Sequence, residues 1–445
     1  MPSSNSPMEK VIMIRLRHIA SALVVATLGM NVSPIGIWGM SSANAETETV
    51  RPEVGKPLQA AQELLRNRKS VEALAKLAEL DAIPNKTPYE IFIADRTKVA
   101  IASVTGDDAL SIQALEAVIG SGRLQATELQ TFIQALIGAY YRRSDYPKAI
   151  TWVTRYYKEG GEDPKMRAMM IQSYYYSNEF IRAEQELRAD VQADEKMGKV
   201  PSEQTLQLLL SCTQKLNDKL GYTDVIEKFV AYYPKKEHWN ELIYRVQAKT
   251  TFSARLLLDV YRLKSSLGQL TAPNDFIEMA ELARLDGFPA EAEKVMAHGY
   301  AMGILGVGNG TELARQKRLQ ERVNKVAAAD LKTIAQGEAD AHKSKDGTAL
   351  VSLGYAYVTM GEFDKGISLM EQGIRKGDIK RTEDAKLHMA YAYVLAGRKP
   401  NGIQMFKLVQ GADGTADLAR YWVVHLTGPT AAPITTPVAA VTPAQ

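Results

Sequence analysis

Residues Leu350–Ile374 read LVSLGYAYVTMGEFDKGISLMEQGI, and the same pattern returns at Lys386–Val409 as KLHMAYAYVLAGRKPNGIQMFKLV. A shift of 36 residues places Gly361 on Gly397 and aligns the two copies without a gap. Each copy has an apolar-periodic run, a glycine-containing turn and a second apolar-periodic run, which predicts two antiparallel helices. A helix pair that repeats at this interval indicates an all-α array of stacked pairs.

The same pattern occurs earlier in the chain. LIGAYYRRSDYPKAITWV (136–153) and MIQSYYYSNEFIRAEQEL (170–187) align with an offset of 34 residues, which places Tyr140 on Tyr174 and Tyr146 on Phe180. These copies resemble the tetratricopeptide repeat (TPR), and the likeness extends over residues 58–426. It implies an all-α, right-handed superhelical solenoid of about nine or ten hairpins with a concave binding surface.

We divide the chain into five predicted segments. They are a signal peptide (1–45), TPR-like helical repeats (46–302), a divergent helical pair or hinge (303–346), a C-terminal TPR pair with a capping helix (347–427), and a disordered Pro/Ala/Thr tail (428–445). The expected helices of the divergent pair are residues 311–328 and 330–341.

The N-terminus has the features of a secretory signal. Lys10, Arg15 and Arg17 precede an apolar core at 19–29, and a small-x-small motif ends at Ala45. We therefore expect cleavage after Ala45 and a periplasmic protein of exported bacterial type, with no stable membrane insertion after cleavage. The alternative is an uncleaved segment at 19–40 that anchors the chain in the inner membrane. Met1, Met8 and Met13 are alternative start positions.

Charge and cysteine content narrow the classes of partner. The chain of 445 residues contains 54 basic and 51 acidic residues, a formal net charge of +3. Residues 1–45 account for three of the basic residues and one of the acidic residues. The remainder therefore has 51 basic and 50 acidic residues. A near-neutral chain gives no electrostatic reason to expect nucleic-acid binding. Cys212 is the single cysteine, so an intramolecular disulfide is impossible.

The sequence contains no recognisable catalytic motif. Its six histidines are scattered singly, and it has no HExxH, GxSxG, Walker loop or cysteine pair for zinc. The glycine-rich GVGNG at 306–310 follows a predicted helix rather than a strand, which argues against a phosphate-binding loop. We therefore predict a protein that is not an enzyme and that uses no cofactor or metal.

The candidate binding residues come from the resemblance. In the family, the first helix of each hairpin lines the concave face near the tyrosine that packs between repeats. Carried onto this sequence, those positions are Tyr141, Arg142, Tyr175, Tyr176, Tyr355 and Tyr391. Tyrosine suits peptide recognition because it offers a large contact area with few rotatable bonds. The alternative is that these side chains extend the packing between repeats. The basic segment Gln316–Lys325 is interpreted as a solvated helix face.

Together these observations favour a non-enzymatic periplasmic scaffold that binds a segment of another cell-envelope protein in the groove of the array. The alternative is a structural component of an envelope export or polysaccharide-secretion machine.

Overall fold

The computed structural model describes residues 49–428, and the regular secondary structure within them is helical. The chain forms two compact units, of which the first ends at Glu186 and the second begins at Leu187. The predicted signal peptide, and the predicted tail after Gly428, lie outside the described residues. Each helix between residues 49 and 428 is too short or too polar to span a bilayer.

The first unit consists of helix pairs joined by short turns. Its helices are α1 (Pro52–Arg66), α2 (Ser70–Asp81), α3 (Pro88–Thr105), α4 (Asp108–Gly120), α5 (Ala126–Arg142), α6 (Tyr146–Lys158), α7 (Pro164–Tyr176) and α8 (Phe180–Lys196), which continues into the second unit. Proline in the first turn and an aspartate or threonine cap mark several helix starts. Thr87, for example, accepts a hydrogen bond from the amide of Glu90 and forms a capping box with it.

The second unit contains the remaining helices. They are α9 (Glu203–Lys215), α10 (Lys219–Tyr232), α11 (Lys236–Gln247), α12 (Leu257–Ser266, after a 3₁₀ turn at Ala254–Leu256), α13 (Pro273–Leu285), α14 (Pro289–Ala301), α15 (Gly310–Lys343), α16 (Thr348–Met360), α17 (Phe363–Lys376), α18 (Thr382–Leu395), α19 (Lys399–Phe406) and α20 (Thr415–Thr427). Within residues 49–428, α1–α14 and α16–α19 follow one another in twos along the chain, and α15 and α20 stand outside this order. The predicted all-α array of antiparallel helix pairs is confirmed.

The turns inside the pairs are built alike. Ser144 and Asn178 have φ values of 60° and 61°, and in each case the next amide donates back into the preceding helix. The donor–acceptor distances are 3.0 Å from Asp145 to Tyr140 and 2.8 Å from Glu179 to Tyr174. This left-handed closure satisfies carbonyls at the end of the first helix. Because it recurs at equivalent positions, it supports the 34-residue offset read from the sequence.

Glycine permits the closest helix crossing. A Cβ atom at Gly354 in α16 would lie 2.5 Å from the carbonyl oxygen of Gly366 in α17, and one at Gly366 would lie 2.5 Å from that of Gly354. Gly347, which directly precedes α16, and Gly373 in α17 make a second close backbone contact of this kind. The two backbones are therefore in contact, and side chains at these positions would force them apart.

Tyrosines at one repeat position join neighbouring elements. The hydroxyl of Tyr357 donates to Glu338 of α15 at 2.9 Å, and that of Tyr393 donates to Glu371 of α17 at 2.9 Å. Tyr140 donates to Glu116 of α4 in the same way. These tyrosines therefore pack between a helix pair and the element that precedes it.

Residues 303–346 differ from the predicted helix pair. In place of helices at 311–328 and 330–341, α15 is one uninterrupted helix of 34 residues. The expected break fell beside Asp330, but the residues before it are Ala327, Ala328 and Ala329, which are the strongest helix formers. A polar residue that resembles a cap does not end a helix when its neighbours favour helical continuation.

The second unit folds back on itself, since α20 contacts α10 and α12. Three cations form ion pairs across this contact. Arg420 pairs with Glu227 at 2.7 Å, and Lys249 pairs with Asp417 at 2.6 Å. Arg255 pairs with both Asp384 and Asp413 at 2.7 Å. Trp422 of α20 is buried against Phe406 and Tyr391. The C-terminal helices therefore cover α12 instead of ending the array with an open face.

His425 on α20 makes this closure sensitive to acid. Burial, reinforced by the charge of Lys399, lowers the pKa of His425 to about 4, and its Nε2 lies 2.8 Å from the hydroxyl of Ser266. An imidazole that is neutral when folded and protonates when unfolded contributes stability above about pH 6.5, and this is lost as the pH falls towards 4.

We expect the free energy of unfolding to drop by about 2 kcal/mol from this group between pH 7.5 and pH 5. Urea denaturation at both pH values measures it, with His425→Gln as the comparison. The glutamine variant should lose less stability than wild type over this range. Equal losses in the two proteins would show that His425 does not titrate in this way.

Candidate protein-binding surface

Five aromatic side chains of the first unit lie together where two successive hairpins turn. We call this set the tyrosine patch, and its members are Tyr141, Tyr146, Tyr175, Tyr176 and Phe180. The rings of Tyr146 and Tyr176 are stacked with centroids 5.2 Å apart, and Tyr141 meets both at 5.6 and 6.5 Å. Tyr175 meets Tyr176 at 5.6 Å and Phe180 at 5.3 Å. The 34-residue offset is what brings equivalent aromatic positions of adjacent pairs into contact.

The patch is anchored on its inner side and exposed on its outer side. The hydroxyl of Tyr141 donates to Gln172 of α7 at 2.7 Å, and burial raises the pKa of Tyr141, so it remains a neutral donor. Tyr176 is 40% exposed, and the neighbouring Ile181 at the start of α8 is 62% exposed. The Nε of Arg142, the residue after Tyr141, donates to Asp108 of α4 at 2.9 Å, so this cation is paired with the preceding helix pair.

This arrangement suits contact with a polypeptide. Stacked and edge-on tyrosines on helix ends are restricted in their rotamers before a partner arrives, so less entropy is lost on binding. Their rings supply apolar area for contact with a bound segment. Nothing in this set resembles a nucleophile with its base.

Four of the six residues predicted from the sequence belong to or border this surface. They are Tyr141, Arg142, Tyr175 and Tyr176. Tyr146 and Phe180 were not among the predicted site residues, although their alignment in adjacent repeats was visible. The signal that would have found them is an aromatic residue directly after the turn in both copies. The binding role of all six stays a prediction.

The other two predicted residues, Tyr355 and Tyr391, are placed differently. Both lie in the second unit around Arg262 of α12, whose Cζ is 4.8 Å from the ring centroid of Tyr355 and 5.8 Å from that of Tyr391. Tyr355 is only 1% exposed and Tyr391 is half-buried against Trp422. The expectation of an open groove at these positions is therefore corrected: α12 and α20 of the same chain cover this face.

Arg262 is the centre of a buried charged cluster. Its Nε and Nη2 donate to the two oxygens of Glu291 at 2.9 and 2.7 Å, and its Nη1 donates to Asp259 at 2.7 Å. Nε2 of His388 lies 3.1 Å from the same Asp259 oxygen. Burial opposes ionisation of Asp259, but the charges of His388 and Arg262 outweigh it and lower its pKa to about 2.

This cluster joins helices that are distant in sequence, because Asp259 and Arg262 come from α12, Glu291 from α14 and His388 from α18. The hydroxyl of Tyr355 is buried beside it without a hydrogen-bond partner among residues 49–428. Each of the three guanidinium nitrogens of Arg262 donates to a carboxylate of the chain itself. The arrangement accounts for cohesion of the second unit rather than for binding of a ligand.

Between residues 49 and 428, no group of three or more histidine, cysteine or carboxylate side chains is arranged to hold a metal ion. The glycine-rich stretch before α15 ends in a helix cap, since the Asn309 side chain accepts from the amides of Thr311 and Glu312. Those amides are therefore already occupied.

Comparison with known proteins gives only low similarities. No protein-family model matches the sequence, and no curated protein matches it either. Among solved structures, the chain is similar to the TPR domain of P58(IPK), with a TM-score of 0.22 and 11% identity over 83% of this chain and 98% of that one. It is similar to yeast Tom70 with a TM-score of 0.21 and 11% identity, over 83% of this chain and 94% of that one. Because both TM-scores are low, the description of the fold rests on the helix pairs, turns and crossings given above.

Proposed function

We propose that this protein is a non-enzymatic periplasmic scaffold that binds an extended segment of another cell-envelope protein through the tyrosine patch. The observation that carries the proposal is the convergence of five aromatic rings from two adjacent hairpins on one partly exposed surface. Export is supported by the signal-like residues at the N-terminus, which lie outside the described residues.

The chemistry of the patch suggests the kind of segment it binds. Tyr176 and Ile181 present apolar area, while the exposed Arg142 and Arg143 directly follow Tyr141 in the chain. An extended segment with apolar or aromatic side chains and a flanking carboxylate would fit both features. Aromatic anchors surrounded by polar residues commonly provide most of the binding energy at protein interfaces.

Site-specific photo-crosslinking in intact cells tests this function. A photoreactive residue at position 176 reports on the patch, and one at Tyr244 is a matched control, because Tyr244 is also an exposed helical tyrosine, at 66%. We expect position 176 to trap one segment of one envelope protein that position 244 does not trap. The same set of proteins at both positions, or several membrane proteins at each, would instead favour a structural component of a larger machine.

A further inference from the structure

The long helix α15 carries a row of cations on its exposed side. Arg315, Arg318, Arg322 and Lys325 are spaced i, i+3, i+7 and i+10, so they project from the same side of the helix. We call these four residues the cation row. All four are exposed, and they extend over about 15 Å of the helix axis.

A different side of α15 is fixed to the second unit. Leu319, Val323, Ile334 and Ala341 lie in its hydrophobic core. The cation row therefore cannot be turned inwards without unpacking that core. It is a permanent surface of the folded unit, presented on a rigid element.

The cation row is poorly neutralised by the chain itself. Between residues 49 and 428, the side chains of Arg315, Arg318 and Lys325 have no hydrogen bond or ion pair, and Arg322 has one long contact of 3.7 Å with Glu281. Residues 313–332 contain six cationic and two acidic side chains, a net charge of +4, whereas the whole chain carries +3. Positive charge is thus concentrated on this helix, and the rest of the chain is slightly acidic.

We propose that the cation row is a docking surface for an acidic helix of a partner protein. Carboxylates at i, i+3 or i+4, and i+7 of such a helix would repeat at the one-turn spacing of the cations, which permits several ion pairs in register. This interaction is separate from the tyrosine patch, because it uses another unit of the chain and another chemistry.

Two other anionic partners fit the row less well. A helix that lies on a membrane needs an apolar face beside its cations, but the apolar face of α15 is used by its own core. The exposed Leu313 and Leu331 project from another side than the row. Residues 313–332 also contain no aromatic side chain that could stack on bases, so single-stranded nucleic acid is disfavoured.

The test is a titration of the full mature chain with two labelled synthetic peptides, followed by fluorescence anisotropy. One helical peptide has glutamates at i, i+3, i+7 and i+10, and the other has the same composition with the glutamates spread around the helix. We expect the first peptide to bind about tenfold more tightly, with an affinity that falls as salt is raised.

A pair of charge-matched variants locates the site. The first replaces the four residues of the cation row by glutamine. The control replaces four other exposed cations of the second unit by glutamine: Lys345, Lys380, Arg381 and Lys407. The first variant should bind the registered peptide about tenfold more weakly and the control should bind it like wild type, with melting midpoints confirming that both remain folded.

Equal losses in the two variants, or equal affinity for the two peptides, would overturn the proposal, because general charge attraction would then explain binding. Phosphatidylglycerol vesicles and a 20-base-pair DNA duplex are titrated in parallel. Binding to either one without binding to the registered peptide would also overturn it.

Discussion

Arg262→Met is expected to destabilise the second unit by about 3–5 kcal/mol, the largest effect of any single substitution considered for this chain. The change removes the guanidinium that pairs with Glu291 and Asp259 in a place where Arg262 is only 1% exposed. Two carboxylates would then remain buried without their main counter-charge. Urea denaturation at pH 7 measures the loss.

The matched control is Arg375→Met in α17, since Arg375 is 68% exposed and contacts Glu371 at 3.8 Å. An exposed pair of this kind contributes about 0–1 kcal/mol. We also expect Arg262→Met combined with Glu291→Gln to be more stable than Arg262→Met alone, because one uncompensated charge is removed. If Arg262→Met cost no more than Arg375→Met, the charged cluster would not be what holds these helices together.

Gly354→Ala and Gly337→Ala are expected to change stability in opposite directions. Both glycines lie inside helices of the second unit, where alanine is normally better by up to about 1 kcal/mol. At Gly337 the nearest atom to an added Cβ is Leu353 Cδ1 at 3.8 Å, an ordinary contact. At Gly354 the added Cβ meets the backbone oxygen of Gly366 at 2.5 Å, so the two helices must separate.

We therefore expect Gly337→Ala to raise the melting midpoint and Gly354→Ala to lower it, with a difference of about 3 kcal/mol between the two variants. Differential scanning calorimetry of both proteins measures this. Because the substitution is the same, helix propensity cancels and the contact with α17 remains. A similar rise in both variants would mean that α16 and α17 do not cross at Gly354.

The helix pairs could be predicted because each is encoded locally. The turn after Tyr140 and the turn after Tyr174 use the same left-handed residue and the same backbone closure, so the offset in sequence corresponds to an offset in structure. The packing tyrosines could be predicted for the same reason. Their partner is a glutamate on the preceding helix, which lies 19, 22 or 24 residues back in the chain.

The surroundings of Tyr355 could not be predicted in this way. Its repeat position is equivalent to that of a groove residue, but Arg262 of α12 lies against its ring. The ion pairs that fold α18 and α20 onto α10–α12 join residues more than a hundred positions apart, such as Arg255 and Asp384. No periodic pattern encodes such a contact, because it depends on single charged residues that other repeats lack.

The continuity of α15 was missed for a different reason. A pattern of helix pairs predicts a second helix that starts at Asp330, whereas the three alanines before it favour continuation of the first. Tyr146 and Phe180 show the opposite case. Their alignment marked them as equivalent, and only the structure brought them to the same surface as Tyr176.

Isothermal titration with the segment trapped at position 176 tests the proposed scaffold function most directly. Wild type, Tyr176→Ala and Tyr244→Ala would each be titrated with a synthetic peptide of that segment. We expect Tyr176→Ala to weaken binding by about tenfold or more, as loss of an aromatic anchor does, while Tyr244→Ala binds like wild type. Equal affinity of all three proteins, or no binding to wild type, would contradict a protein-binding role for the tyrosine patch.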